Sequence, residues 1–201
     1  MIDIVNMRPE HIPQLVEHQK ICFPTLDPND LFSAENFEAH LRVFPQGQFV
    51  AVDGERVIGQ SSTFRVYGSK VFTPHLFHEI VGHGFFTEHS DDGEWLYAAD
   101  MSVHPDYRGQ RIATRLYDRR KQLVRELGIR GIVGGAMIPG YIKYRDVMDT
   151  TTYMHEVVAG RIIDPTLTAQ LRNGFRAVEV IKDHIHAGEL GPDAVLIVWE
   201  P

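Results

Sequence analysis

The chain has 201 residues, 43% of them hydrophobic and 23% charged, and its 20 Lys and Arg against 27 Asp and Glu give a formal charge of -7. That composition fits one sizeable core, so a single domain over residues 1–201 is expected, and the acidic balance argues against general affinity for nucleic acid or an anionic membrane. Cys22 is the only cysteine, the opening MIDIVNMRPEH has no signal-peptide character, and no apolar run approaches the ~20 residues that span a bilayer, so a cytoplasmic location is the expectation.

Residues 2–5 alternate weakly and predict a first strand. Pro9 then sits where a helix can start, and Ile12, Leu15, Val16 and Ile21 recur at helical spacing. A second helix is predicted where Ser33 offers an N-cap and Phe37, Leu41 and Phe44 form one stripe closed by Pro45. The period then changes, and QFVAVDGERVIGQSSTFRV reads as two strands around Asp53-Gly54, the dipeptide that a type I′ hairpin turn prefers. Residues 68–94 read as an insertion with one short helix in PHLFHEIVGH. WLYAADMSV predicts a strand that His104-Pro105 stops. Ile112, Leu116, Leu123, Val124 and Leu127 mark a long helix with Gly128 as its C-terminal stop. RGIVGGAM predicts a strand parallel to WLYAADMSV, joined to it by a right-handed crossover. Residues 141–173 read as mainly helical or irregular, and RAVEVIKDHI with DAVLIVWEP as a terminal antiparallel pair. The order β-α-α-β-β-β-α-β-α-β-β describes a mixed sheet with helices on both faces.

VHPDYRGQRIATRL, residues 103–116, carries the strongest functional signal. A strand, a tight turn and a helix start point several unpaired N–H groups one way, backed by the positive end of the helix dipole, which makes an anion cradle. Gly109 has no Cβ to block a ligand, Ala113 is nearly as small, and Thr114 adds a hydroxyl. Arg108, Arg111, Arg115 and Arg119 recur on one helix face. The alternative is a solvated face paired with Asp118 and Glu126. The Lys and Ser/Thr ending of a P-loop is missing, and no G-x-G-x-x-G follows a predicted strand.

After a strand, VHPDYRGQRIA resembles the acyl-CoA signature of the GNAT superfamily of N-acyltransferases, in which Arg/Gln-x-x-Gly-x-Gly/Ala opens the helix that holds the CoA pyrophosphate. Arg108, Gly109, Gln110, Arg111, Ile112 and Ala113 match it, with Arg111 where glycine is expected. LRNGFRAVEVI resembles the GF segment before the family's last strand pair. FPQGQFVAVDGERVIG, DGEWLYAADMSVHPDYRG and GAMIPGYIKY resemble the acetyltransferase half of proteins that join a GNAT domain to a nitrilase-type carbon-nitrogen hydrolase, and these residues contain no hydrolase half. The resemblance implies an α/β (α+β) fold: a mixed, mostly antiparallel, twisted sheet of about seven strands with a splayed central parallel pair and helices on both faces. It implies acetyl-CoA as co-substrate, with Met101, Ser102 and Val103 pairing with the pantetheine arm and Arg108 to Thr114 holding the phosphates. Gly134 and Gly135 would ease that approach, or mark a bulge or strand end.

The activity implied is acetyl transfer from acetyl-CoA to a primary amine of a small molecule by direct attack, without a metal. An alkylammonium ion has a pKa of about 10 and no lone pair, so a proton must leave before attack. Asp100 is the candidate base or ammonium anchor; it equally fits an aspartate that satisfies backbone N–H groups at a strand irregularity. Many family members place a tyrosine four residues before GF to protonate the leaving thiolate, and here that position is Gln170. Tyr141 is the candidate replacement, with Tyr144 and Tyr97 as further options and core burial as the alternative for each.

HEIVGH lacks zinc-ligand spacing, because His78 and His83 lie about 140° apart around a helix. His75, His78, His83 and His89 read as a chance feature of a polar insertion, and Cys22 as a small buried residue. The rival to an enzyme is a non-catalytic acyl-CoA-binding or partner-binding module, motivated by Gln170. A metal hydrolase resting on the histidines ranks below both. The acceptor is left open, since variable loops at 24–35, 68–94 and 137–160 would build its pocket, and so is the oligomeric state, a homodimer included.

Overall fold

The computed structural model describes residues 2–185 and 187–201. Among them seven strands form one sheet: β1 (Ile2–Asn6), β2 (Gln48–Asp53), β3 (Arg56–Val66), β4 (Trp95–Val103), β5 (Gly131–Met137), β6 (Arg176–Ile181) and β7 (Ala194–Trp199). Their spatial order is β1-β2-β3-β4-β5-β7-β6, antiparallel throughout except for β4 beside β5. The helices are α1 (Ile12–Cys22), α2 (Ala34–Val43), α3 (Gly68–Val71), α4 (Phe77–Ile80), α5 (Ile112–Leu127), α6 (Thr150–Val158) and α7 (Leu167–Arg172). One core packs Ile112, Leu116, Leu123 and Met154 of α5 and α6 on one sheet face. A second sets Leu15 and Phe37 of α1 and α2 against Phe64 and Tyr97 on the other. No helix among the described residues is long and apolar enough to cross a membrane.

Local chemistry accounts for most boundaries. At the start of α2 the Ser33 hydroxyl accepts the Asn36 N–H at 3.3 Å and the Asn36 side chain accepts the Ser33 N–H at 2.9 Å, a reciprocal cap. α5 stops at Gly128, whose φ of 63° ends the helix without a Cβ penalty. The hairpin between β2 and β3 corrects the expected turn. Asp53 pairs with Arg56, so Gly54 and Glu55 are central, and only Gly54 has positive φ, at 61°. A type I′ turn needs it at both positions; glycine at the first alone is the II′ pattern.

α1 departs from its expected stripe as well. Ile12 and Leu15 are buried, yet Ile21 is 47% exposed and His18 and Gln19 are buried in its place. The helix lies over a polar stretch of β4, so its inner positions carry groups that can hydrogen-bond there. Residues 68–94 form α3, α4 and a series of turns whose Val71, Ile80, Val81 and Phe86 complete the α1–α2 core. His40 stacks on Phe86 with ring centroids 3.6 Å apart, and His89 Nδ1 accepts the Arg65 N–H, so several of the chain's histidines are structural.

Removing the α2 cap gives a direct check on this account. Ser33→Ala is expected to lower unfolding free energy by about 1 kcal/mol, read from urea denaturation, without a change in m-value.

Candidate active site

β4 and β5 pair only at Trp95, Leu96 and Tyr97 with Gly131, Ile132 and Val133. Beyond that point β4 continues to Val103 and β5 to Met137 without a ladder between them, so the strands part. Two features open the fork. Opposite Ser62 and Thr63 of β3 the register slips by one residue, leaving Ala99 as a bulge. The slip inverts side-chain parity: Leu96, Ala98, Met101 and Val103 all face the α5 core, while Asp100 and Ser102 turn toward α1. At the fork itself, a Cβ on Gly134 would lie 3.0 Å from the Ala98 carbonyl oxygen.

The parted strands leave a cavity of about 170 Å³, several times the ~30 Å³ share of one liquid water, hence room for a small-molecule group. It reaches both cores. Phe32 and Phe77 line it from the α1 face, Tyr117 and Phe175 from the α5 face, and Asp100 and Arg120 lie between.

Asp100 accepts from Gln19 Nε2 at 2.6 Å and from Gln60 Nε2, both on the same oxygen, Oδ2. Gln19 is itself oriented, because its Oε1 accepts the Phe32 N–H at 3.3 Å and leaves the amide NH₂ for the carboxylate. Burial pushes the Asp100 carboxyl up from 3.8 to about 7; the Gln19 bond, the Arg120 charge and the Met101 N–H offset only part of that. The guanidinium of Arg120 is 2% exposed and donates to Ser61 Oγ and to the carbonyls of Ser62 and Asp100. It therefore ties α5 to the bulge from behind. Burial pulls its pKa down to about 10, which leaves it cationic at neutral pH.

The start of α5 is open. Its first helical bond runs from the Arg115 N–H to the Arg111 carbonyl at 3.2 Å, and no side chain caps it. Among the described residues the amides of Gly109, Gln110, Arg111, Ile112, Ala113 and Thr114 have no acceptor. Nothing lies within 4 Å of the place a Cβ would take on Gly109, so the cradle is unobstructed. Of the arginine series, Arg115 donates to the Ile2 carbonyl at 2.9 Å, and Arg119 pairs with Glu126 and lies over the Phe49 ring. Only Arg108 and Arg111 remain at the cradle. Arg108 Nε donates to the Val103 carbonyl at 3.2 Å, at the end of β4. Arg111 takes φ 59°, the left-handed conformation for which glycine is the natural residue.

Met101, Ser102 and Val103 thus lie on the free stretch of β4 beside the cradle. Ser102 Oγ is 3.0 Å from His18 Nε2, and Cys22 Sγ is 3.4 Å from the same nitrogen. Burial pushes that half-buried thiol up to about 11, so it stays protonated. Tyr141 is not brought to the cavity: its hydroxyl donates to the Met148 carbonyl at 2.9 Å and its ring packs on Tyr153. Tyr144 packs on the same ring, and Tyr97 is buried in the α1–α2 core. Gln170 does line the cavity, as Tyr117 does. Gly135 leaves room for the imidazole of His184, which a Cβ there would strike, so that space serves a side chain of this chain.

Gln19, Tyr117, Arg120 and His184 are among the polar cavity residues to which spacing assigns no role. Three had a signal: Gln19 falls at i+4 from Leu15, Arg120 at i+4 from Leu116, and Tyr117 beside Leu116, so each is a non-aliphatic group on or next to an apolar stripe. His184 sits in a connection, where spacing carries no information. Among the described residues no three His, Cys, Asp or Glu side chains group as metal ligands would.

A bulged strand parting from a parallel neighbour beside an uncapped helix start is the architecture of an acyl-CoA-dependent acyltransferase. A model of the acetyltransferase (GNAT) family matches residues 12–136, and the chain belongs to that family. It is 34% identical over 182 residues to the probable hydrolase YhcX of Bacillus subtilis (strain 168), covering 90% of this chain but only 35% of that protein's length. It is 28% identical over 200 residues to the uncharacterized N-acetyltransferase YkwB of the same strain, 99% of this chain and 88% of that one. The loading GNATL domain of CurA from Lyngbya majuscula has the same fold, with a TM-score of 0.83 at 16% identity over 100% of this chain and 98% of that one. So does the GphF GNAT-like decarboxylase in complex with isobutyryl-CoA, at 0.80, 19% identity and 98% of each chain.

Two outcomes check the site. Because burial raises the Asp100 carboxyl, its contribution to stability is complete below the unfolded pKa of about 4 and is lost as pH rises through about 7. Asp100→Asn, which removes that charge, should gain stability relative to the parent across this window, by on the order of a few kcal/mol, and level off above it in thermal unfolding at stepped pH. Arg111→Gly should raise stability by up to about 1 kcal/mol by relieving left-handed strain, while weakening CoA binding in calorimetry through the lost charge.

Proposed function

We propose that the protein transfers the acetyl group of acetyl-CoA to a primary amine of a small molecule. The observation that carries this reading is the row of unpartnered amides from Gly109 to Thr114 at the mouth of the β4–β5 fork. Those amides, with Arg108 and Arg111, fit a diphosphate; the stretch Met101, Ser102 and Val103, whose fork-side edge has no partner strand, fits the amide-bearing pantetheine arm. The bound thioester supplies the electrophilic acyl carbon.

The chain's own groups supply the proton traffic. Asp100, poised near neutrality, holds the acceptor's ammonium and takes its proton, directly or through a water. Arg120 keeps the Asp100 backbone fixed at the bulge while remaining charged beside it. Tyr117, which lines the cavity with Gln170, gives a proton to the departing thiolate, while the Tyr141 hydroxyl is engaged by the Met148 carbonyl. Burial raises the Tyr117 hydroxyl, which keeps it protonated and ready to donate. The rival reading, acyl-CoA binding without turnover, predicts the same cradle with no use for a carboxyl group tuned to neutrality.

A second reading is decarboxylation of a carboxyacyl-CoA, supported by the buried Arg120 charge in the cavity wall and by the fold shared with the GphF decarboxylase. Product analysis separates the three. With acetyl-CoA and a panel of primary amines the expected result is stoichiometric free CoA and acetylated amine, with kcat/KM rising with pH through an apparent pKa of about 7. Asp100→Asn should lower kcat by about 10²- to 10⁴-fold. A thermal shift with acetyl-CoA but no product from any amine would leave the binding module, and carbon dioxide from a malonyl-type CoA would favour the decarboxylase. No shift at millimolar acetyl-CoA would overturn all of them.

A further inference from the structure

The α1 side of the cavity has a composition that acetyl transfer alone does not require. Its wall is built from Phe23, Leu26, Phe32, Phe77 and Ile185, with Phe32 and Phe77 stacked at 6.4 Å between ring centroids. Polar groups also line it, Asp30 on the α1 side among them, and two of the cavity's acceptors concern the amine itself. One is Asp100, whose Oδ2 takes both glutamine bonds while Oδ1 keeps acceptor capacity. The other is His184, in the connection between β6 and β7.

His184 is 2% exposed, and its Nδ1 lies 3.0 Å from the carbonyl oxygen of His75. A carbonyl can only accept, so Nδ1 carries the hydrogen and Nε2 the lone pair. Among the described residues nothing donates to Nε2. The arrangement is braced from behind: His75 Nδ1 donates to the Thr73 carbonyl at 2.8 Å and its Nε2 stands 3.4 Å from the Tyr97 hydroxyl. Gly135 clears the place the ring occupies. Burial pushes the His184 imidazole down to about 4, so its lone pair is unprotonated at neutral pH.

We propose that the acceptor is a primary amine on an apolar, arylalkyl-type body, with one N–H donated to His184 Nε2 and another to Asp100. This rests on the amine-transfer reading above and narrows its substrate class. A neutral primary amine has two N–H bonds and one lone pair. Engaging both N–H bonds on two acceptors leaves the lone pair free for attack, so His184 would set orientation and select against an amine with one N–H. A secondary amine leaves one buried acceptor unpaired, and an alkyl diamine covers less of the ring-lined wall than an aryl body does.

The test uses acetyl-CoA with phenethylamine, N-methylphenethylamine and putrescine on the parent protein, on His184→Phe and on His184→Gln. The parent is expected to acetylate phenethylamine with kcat/KM at least about tenfold above either other amine, the scale of one unpaired buried group. His184→Phe keeps a ring but no acceptor, and should raise the phenethylamine KM about tenfold while the acetyl-CoA KM stays within about twofold. His184→Gln restores an acceptor oxygen and should recover most of that loss. Putrescine or the N-methyl amine used as well as phenethylamine overturns the proposal, and so does an unchanged amine KM in His184→Phe. Should that variant fail to fold, the parent's ranking of the three amines decides. If acetyl-CoA binds but no amine is acetylated, the transfer reading itself fails, an outcome distinct from acetylation with the wrong ranking.

Discussion

A β-strand has two edges, and β4 is asked to use both for only part of its length. Over Trp95 to Tyr97 it pairs with β3 on one side and β5 on the other; past that point it keeps β3 alone. Unpaired backbone inside a protein is costly unless something else satisfies it. The unsatisfied edge of β4 and the uncapped amides of the α5 start lie at the same end of the strand. The bulge at Ala99 is what makes the division workable, since one extra residue bends β4 away and turns Asp100 toward α1 without disturbing its pairing to β3 on either side.

That geometry sets a charge problem and solves it within the sheet. Asp100 and Arg120 are both buried near the bulge, yet they do not form an ion pair through their ends: the guanidinium bonds the Asp100 backbone carbonyl, Ser61 and Ser62, while the carboxyl is held by two neutral amides. A direct pair would pull the carboxyl far below neutrality. Amide donors stabilise the anion less than a contacting guanidinium would, so desolvation dominates and the group stays near the pH at which it can both bind and take a proton. The raised carboxyl costs stability above the unfolded pKa, and under the proposed function that cost would be the counterpart of a group able to exchange a proton near neutrality.

What the sequence disclosed follows from how local each signal is. The Ser33 cap, the Gly128 stop, the strand-helix-strand order that makes β4 and β5 parallel, and the open start of α5 are all written within a few residues, and each appears as read. The type I′ turn was misplaced because Asp-Gly fits two registers and only cross-strand pairing chooses between them. The cavity wall was harder to see. Periodicity marks aliphatic stripes, and Gln19 on α1 and Arg120 on α5 stand on those stripes as polar groups to which spacing alone gives no role. Tyr141 looked plausible because it follows β5 in sequence, but the chain turns there and the hydroxyl finds the Met148 carbonyl first. Tyr117 and His184 enter the site through tertiary packing alone, from a helix flank and a connection that no spacing rule links to Asp100.

The departure at Arg111 shows how the same cradle can be built with a different residue. The turn into α5 takes Arg111 into the left-handed region, two residues after Gly109 does the same. Glycine would adopt it freely, whereas arginine bears a cost of roughly 1–2 kcal/mol. Strain of this kind persists where something offsets it. The neighbouring arginines show what that is: Arg115 and Arg119 are committed to the Ile2 carbonyl, Glu126 and Phe49, and Arg108 leans back on the Val103 carbonyl. In a chain with a formal charge of -7, Arg111 is the exposed cation left at the open helix start, adding a full charge to the half charge of the helix dipole at the place where a diphosphate would sit.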